Sequence, residues 1–148
     1  MNGLIECSIQ HATLVNANPE RVYDAFTSAE EMDRWFTSGA SIVAQLGGEI
    51  HFRWIDWGPD HITSEDGGLV LEARRPERFV FNWYPDSPDY ATTVAIDFEP
   101  VGQGTVVRLQ EFGYRNTPSG WQAFANCAAG WGEALTLLKF YVEYGLHY

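Results

Sequence analysis

The longest regular hydrophobic pattern in the chain lies near its C-terminal end, in residues 119–144. Its apolar residues recur at spacings of three and four, as on one face of an α-helix: Trp121, Phe124, Ala128, Trp131, Leu135, Leu138 and Val142. Ser119 and Gln122 match a capping box, and Gly145 suits the left-handed residue that closes a helix. The pattern predicts one helix of roughly 35–40 Å, and a stripe of that length needs a sheet beneath it.

Two short helices are predicted near the other end, after a first strand within residues 5–15. Asn18 and Pro19 are a typical N-cap and first helical residue. Ser28 and Glu31 form a capping box for the second helix, whose apolar side includes Trp35.

From Ala40 onward the apolar period changes to two, which is typical of strands. Four strands are predicted here: a short one at 41–44, one around residues 50–54, one at 69–74 and one around residues 79–83. The inward-facing residues of the second and fourth are Ile50, Phe52, Trp54, Phe79, Phe81 and Trp83. The polar, acidic stretch 56–68 is predicted to be a long exposed connection, and residues 85–89 a shorter loop.

The last hairpin allows its register to be predicted. Apolar residues face each other when the pairs are Phe98–Val107, Ile96–Leu109 and Val94–Glu111, with Asp97 opposite Arg108 on the other face. Glu111 is then a carboxylate on an apolar face. It either reaches water at the strand end or forms the polar anchor of a pocket. Gly102 and Gly104 mark the hairpin turn, so their spacing does not indicate a nucleotide loop.

The predicted order is strand, two short helices, about six more antiparallel strands and one long helix. This order is typical of an α+β fold with the helices on one face of the sheet. With 148 residues and no linker-like stretch, residues 1–148 are expected to form a single domain.

Composition and charge restrict the partners. A net charge of −11 without a basic stripe argues against nucleic acid and anionic membranes. Residues 1–8 lack the basic start and apolar run of a signal peptide, and no apolar run has membrane-spanning length, so neither segment is expected. Neither the four histidines nor the acidic loop has convincing ligand spacing, so we expect no metal and no cofactor. Two widely separated cysteines are expected to be reduced, in a cytoplasmic protein.

Several motifs together resemble a known superfamily. NPERVYDAFT at 18–27, RWF at 34–36 and GGEI at 47–50 resemble START-like (SRPBCC, birch-pollen-allergen-like) proteins. RPERFVFNW at 75–83 and Gly130-Trp131 with the following EAL resemble, more narrowly, the activators of the heat-shock-protein-90 ATPase. The resemblance implies the helix-grip fold, in which a strongly curved antiparallel sheet of about seven strands wraps the C-terminal helix and leaves an apolar cavity. Superfamily members bind lipids, steroids or polyketides, and a few are cyclases or aromatases.

One departure from that family concerns chemistry. Members often carry histidine three residues before the Gly-Trp pair, where this chain has Cys127. The exchange removes a titratable imidazole and weakens the case for acid–base catalysis. Because no base or cation neighbours Cys127 in the sequence, an inert buried thiol is the favoured interpretation.

A ligand cavity is predicted where the aromatic faces of sheet and helix converge, although a filled core would explain the same hydrophobicity. Small residues in the first half of the long helix favour a void. The candidate ligand-binding residues are Trp35, Phe36, Phe52, Trp54, Phe81, Trp83, Ile96, Leu109, Glu111, Phe124, Cys127 and Trp131.

The function predicted from these features is binding of a small hydrophobic or aromatic ligand, with no catalytic residue assigned. A polyketide cyclase or aromatase acting by positioning is the first alternative. A chaperone ATPase activator is the second, weakened because only the START-like part is recognised. The sequence leaves a homodimer open.

Overall fold

The computed structural model describes residues 3–148, so Met1 and Asn2 of the predicted domain lie outside the described residues. Its elements are β1 (Ile9–Val15), α1 (Pro19–Thr27), α2 (Ala29–Trp35), β2 (Ser41–Ile42), β3 (Glu49–Trp57), β4 (Ile62–Arg74), β5 (Arg78–Ser87), β6 (Tyr90–Val101), β7 (Gly104–Phe112) and α3 (Pro118–Tyr144). The strands form one open, curved sheet in the order β1-β7-β6-β5-β4-β3-β2, with every neighbouring pair antiparallel. The predicted α+β, helix-grip architecture is confirmed.

The predicted register of the β6–β7 hairpin is confirmed at all four pairs. The apolar face of this hairpin points into the core, where Ile96 and Leu109 are buried. Glu111 is also buried there, with 0% of its surface exposed, so the interpretation in which it reaches water is wrong.

The predicted long connection at 56–68 is wrong. Strand β3 continues to Trp57 and β4 begins at Ile62, so only four residues join them. The polar composition of this stretch is misleading, because the outer half of the β4 strand is exposed and needs no apolar residues. The 85–89 loop likewise shrinks to two residues between β5 and β6, and the strands predicted at 5–15 and 41–44 are shorter than expected.

Helix α3 begins earlier than the capping box indicated. The N-cap is Thr117, whose hydroxyl accepts from the amide of Gly120, and Pro118 occupies the first turn. The buried face is correspondingly rotated at both ends: Trp121 is 46% exposed, and Tyr141 is buried where Val142 was expected. Gly145 closes the helix with φ of 69°, as predicted.

The first two helices carry the predicted N-caps. The side chain of Asn18 accepts from the amide of Arg21, and that of Ser28 accepts from the amide of Glu31. In residues 3–148, no helix combines the length and the apolar composition needed to cross a bilayer.

Candidate functional site

A cavity of about 340 Å³ lies between the concave face of the sheet and the first half of α3. Its volume falls in the range of small-molecule sites. The wall is formed by residues from the end of α2, from β3, β4 and β5, and from α3: Phe36, Trp54, Trp57, Ile62, Ser64, Trp83, Asn126, Cys127, Gly130 and Trp131. Half of these ten residues are aromatic, and none carries a formal charge.

Four of the wall's aromatic rings form a closed circuit. Phe36 contacts Trp54 at 5.3 Å between ring centroids, Trp54 contacts Trp83 at 6.5 Å, Trp83 contacts Trp131 at 5.3 Å, and Trp131 returns to Phe36 at 6.0 Å. All four side chains are at least nine-tenths buried. The circuit joins α2, β3, β5 and α3, so the packing of all these elements determines the shape of the cavity.

Trp57 adds a fifth ring because of a bulge in β3. The pairing of β3 with β4 shifts between Trp54 and Trp57, and Asp56 adopts a positive φ of 51°. The shift lets Trp57 join the wall although it is an odd number of residues beyond Trp54. Its ring meets Phe36 edge-on at 5.9 Å and lies beside Tyr148 at 5.0 Å.

Glu111 on β7 lies behind the cavity wall and fixes two of its rings. The indole N–H of Trp83 donates to Oε2 of Glu111 at 2.7 Å, and that of Trp131 donates to Oε1 at 2.9 Å. The hydroxyl of Thr92 is 2.7 Å from Oε2. Glu111 therefore holds the wall from behind and does not itself line the cavity, whereas the prediction made it the polar anchor inside.

Burial raises the pKa of the Glu111 carboxyl, while the hydrogen bonds from Thr92, Trp83 and Trp131 act in the opposite direction. The buried hydroxyl of Tyr114 is within electrostatic reach of Glu111 but has no well-formed hydrogen bond to any residue of the described chain. Burial and the nearby Glu111 and Cys127 raise the pKa of Tyr114 far above its ordinary value.

Cys127 lines the cavity, but its environment disfavours a reactive thiolate. Burial, and then the carboxyl groups of Glu111 and Asp66, raise the pKa of Cys127 to about 12, although a contact with Tyr114 lowers it. A nucleophilic thiol needs the opposite shift. The residue is therefore a small, neutral part of the wall.

Two glycines of α3 have different neighbours. A Cβ placed on Gly130 would meet no atom within 4 Å, so there is open space beside this exposed position at the rim of the cavity. A Cβ on Gly132 would lie 3.1 Å from the ring of His11, which is itself 2.7 Å from the carbonyl oxygen of Ala128. Small residues therefore serve two purposes on this helix: one opens space, and the other admits His11 from β1.

The structure places the twelve predicted site residues in three groups. Five line the cavity: Phe36, Trp54, Trp83, Cys127 and Trp131. Six lie in the surrounding core: Trp35, Phe52, Phe81, Ile96, Leu109 and Glu111. Phe124 lies apart from the cavity wall, packed against Tyr114 and Trp121.

Sequence reasoning missed half of the wall: Trp57, Ile62, Ser64, Asn126 and Gly130. The first three belong to the stretch assigned to a loop, and only a β3–β4 hairpin would have placed them. Within residues 3–148, no group of three or more His, Cys, Asp or Glu side chains is arranged to hold a metal ion.

A family model described as Activator of Hsp90 ATPase homolog 1-like protein matches residues 16–143. No curated protein matches the chain significantly in sequence.

The Aha1 dimer from Colwellia psychrerythraea is 22% identical, with a TM-score of 0.76 over 94% of this chain and 98% of its own. The protein SSP2350 from Staphylococcus saprophyticus is also 22% identical, with a TM-score of 0.76 over 96% of each chain. DynU16, from the dynemicin biosynthetic locus, is 17% identical, with a TM-score of 0.80 over 97% of this chain and 51% of its own. At these identities the solved structures show a common fold.

Proposed function

The chain belongs to the family of Activator of Hsp90 ATPase homolog 1-like proteins, and from this membership and its cavity we propose that it binds a small hydrophobic or aromatic ligand. The observation that carries the proposal is the space of about 340 Å³ between sheet and helix, which opens to solvent and is bordered by five aromatic rings. Apolar walls with a few polar groups are typical of ligand sites. The polar groups available here are the side chains of Ser64 and Asn126.

Binding is favoured over acid–base chemistry because of the groups in the wall. Cys127 is the only wall residue with an ionisable side chain, and burial and nearby carboxyl groups raise its pKa. Both oxygens of Glu111 are engaged with wall or strand residues. The arrangement offers shape and ring contacts rather than a poised proton donor or acceptor.

A cyclase or aromatase remains the first alternative function, since a cavity can accelerate ring closure by positioning alone. Its support is the fold shared with DynU16, from the dynemicin biosynthetic locus. Activation of the Hsp90 ATPase, which gives the family its name, is a second alternative resting on that name. Turnover of a candidate polyketide, or a changed ATPase rate of the chaperone, would favour one of these over simple binding.

We extend the proposal to a homodimer, because the Colwellia relative is described as a dimer. Light scattering coupled to gel filtration measures the mass directly. A mass of twice 16.7 kDa supports the dimer, and a mass of 16.7 kDa at concentrations up to the millimolar range contradicts it.

The binding proposal is tested with 1-naphthalenemethanol, an uncharged aromatic probe that fits a cavity of this size. Binding is followed by quenching of tryptophan fluorescence and by calorimetry. The variant Gly130→Leu fills the cavity from a position with no neighbouring atom, so we expect it to fold and to lose the probe. Gly145→Asn, at the distant end of α3, is the control and should bind normally. Equal binding by the Gly130→Leu variant would place the probe elsewhere.

A further inference from the structure

We propose that the cavity binds the positively charged part of its ligand, an alkylammonium or other organic cation attached to an apolar or aromatic body. This inference rests on the proposed binding function and names the chemical class of the ligand. Three features support it: the rings of the wall, the carboxyl groups behind the wall, and the absence of any positive charge among the wall residues.

The rings of the wall are suited to a cation. Organic cations are attracted to the faces of tryptophan, tyrosine and phenylalanine within about 6 Å of the ring centroid, and tryptophan is the strongest of the three. Four of the five rings here are tryptophan, at positions 54, 57, 83 and 131. Neighbouring centroids in the closed circuit lie 5.3–6.5 Å apart, so a group in the cavity is close to several rings at once.

One carboxyl group, that of Glu111, lies directly behind two of these rings. Trp83 and Trp131 each donate their indole N–H to Glu111. An indole that donates to a carboxylate carries more negative charge on its ring face, which strengthens its attraction for a cation. Both indoles can only donate, and their bonds favour the ionised form of Glu111, but burial has the larger effect and leaves the pKa of Glu111 raised.

A second carboxyl group, Asp66, follows Ser64 on the same side of β4. It accepts hydrogen bonds from the backbone amides of Gly67 and Tyr84. Burial raises the pKa of Asp66, while these bonds and the nearby His51 act in the opposite direction. Among residues 3–148 no Lys, Arg or His lines the cavity, so the wall offers an anionic ligand only neutral donors, such as the unpartnered indole N–H of Trp57. Carboxylates and phosphates are therefore disfavoured there.

Two carboxyl groups, those of Glu111 and Asp66, lie within electrostatic reach of Cys127 in the cavity wall. Both Glu111 and Asp66 act on Cys127 to disfavour its thiolate, adding to the effect of burial. Where these carboxyl groups are ionised, a negative charge at this position is repelled and a positive charge is attracted. The chain's net charge of −11 has the same sign, but salt screens that long-range field.

Three naphthalene probes that differ in charge test the inference. They are 1-naphthylmethyl-trimethylammonium, 1-naphthalenemethanol and 1-naphthoate, titrated by calorimetry at pH 7 in 0.1 M and in 1 M NaCl. We expect the cation to bind about three- to thirtyfold more tightly than the alcohol and the anion to bind least. We expect the order to persist in 1 M salt, because contacts inside the cavity are screened far less than the field of the surface charges.

Variants distinguish the effect of the groups around the cavity from the effect of the protein's net charge. Glu111→Gln should reduce the preference for the cation over the alcohol, whereas Glu133→Gln, at an exposed position of α3, removes the same charge and should leave the preference unchanged. Trp54→Leu removes one ring and leaves Glu111 unchanged. It should weaken binding of the cation more than binding of the alcohol. It serves as the second test if Glu111→Gln does not fold.

The outcomes distinguish the two proposals. If the alcohol binds and the cation binds no better, or if naphthoate binds best, the inference is overturned and the binding function stands. If the preference for the cation disappears in 1 M salt, the surface charge explains it and the inference is again overturned. If none of the three probes binds, the proposed function itself fails.

Discussion

Trp131 on α3 donates its indole N–H to Oε1 of Glu111 on β7 at 2.9 Å, while the other oxygen of Glu111 accepts from Trp83 on β5 at 2.7 Å. One buried carboxyl group therefore fixes two rings of the cavity wall from opposite sides, helix and sheet. Because Glu111 is fully buried, each of these hydrogen bonds lies out of reach of water, and losing one leaves a buried donor without a partner.

Glu111 should make the free energy of unfolding depend on pH. Its pKa in the folded state is raised above the ordinary 4.5, so the folded protein holds the proton more tightly than the unfolded chain. The contribution of this group to stability is then fully present below pH 4.5 and decreases as pH rises toward the folded pKa. Urea unfolding from pH 4 to pH 8 should show this decrease in the wild type relative to Glu111→Gln. A difference between the two proteins that does not change with pH would contradict the raised pKa.

Replacing Trp131 by alanine should cost about 3–5 kcal/mol of the free energy of unfolding, because the ring is 2% exposed and one bond to Glu111 is lost. Trp121→Ala is the matched control on the same helix. Its ring is 46% exposed, and we expect a loss below about 1 kcal/mol. Chemical denaturation of both variants measures the difference. Similar losses for the two would show that the buried face of α3 is wrongly assigned.

The two glycines of α3 should respond differently to alanine. In Gly130→Ala the new methyl group would contact no atom, and alanine has a higher helix propensity than glycine. The substitution should therefore stabilise the protein by about 1 kcal/mol. At Gly132 the new methyl group would lie 3.1 Å from the ring of His11, which offsets the same gain. Thermal unfolding of the two variants compares them. A larger gain at Gly132 than at Gly130 would contradict the placement of His11 against the helix.

Cys127 should resist alkylation at neutral pH. Its pKa is raised from 9.0 to about 12, which lowers the thiolate fraction roughly a thousandfold at pH 8. Iodoacetamide should therefore modify exposed Cys7 much faster, as measured by mass spectrometry on Cys7→Ser and Cys127→Ser proteins. In urea both cysteines should react at similar rates. Equal rates in the folded proteins would show that the environment of Cys127 has been misread.

The sequence was most informative where one face of an element is buried and the other is wet. In the β6–β7 hairpin apolar and polar residues alternate clearly, and only one register places Asp97 opposite Arg108. In the outer half of β4 both faces are largely exposed, so the pattern disappeared and a strand resembled a loop. The position of Trp57 depends on a β-bulge that the sequence pattern does not predict, because the register shift arises from the pairing of β3 with β4.

The start of α3 shows a different kind of error. The capping-box pattern of Ser119 and Gln122 predicted the helix start, although the helix begins at Pro118 after the N-cap Thr117. In the fold the hydroxyl of Thr117 reaches the amide of Gly120, and Trp121 lies at the edge of the core, where its indole donates to Asn116. Local signals identified the helix, whereas its contact with the sheet determined which residues are buried.

The attachment of α3 on both sides constrains the route by which a ligand enters and leaves. Glu111 contacts the helix at Trp131, and His11 contacts it at the carbonyl of Ala128, so moving this part of the helix away from the sheet would break both hydrogen bonds. The opposite rim belongs to the β3–β4 hairpin, which ends in a four-residue turn next to Ile62. We therefore expect a ligand to enter and leave past the β3–β4 hairpin. Its residence time should depend on how often that hairpin bends outward.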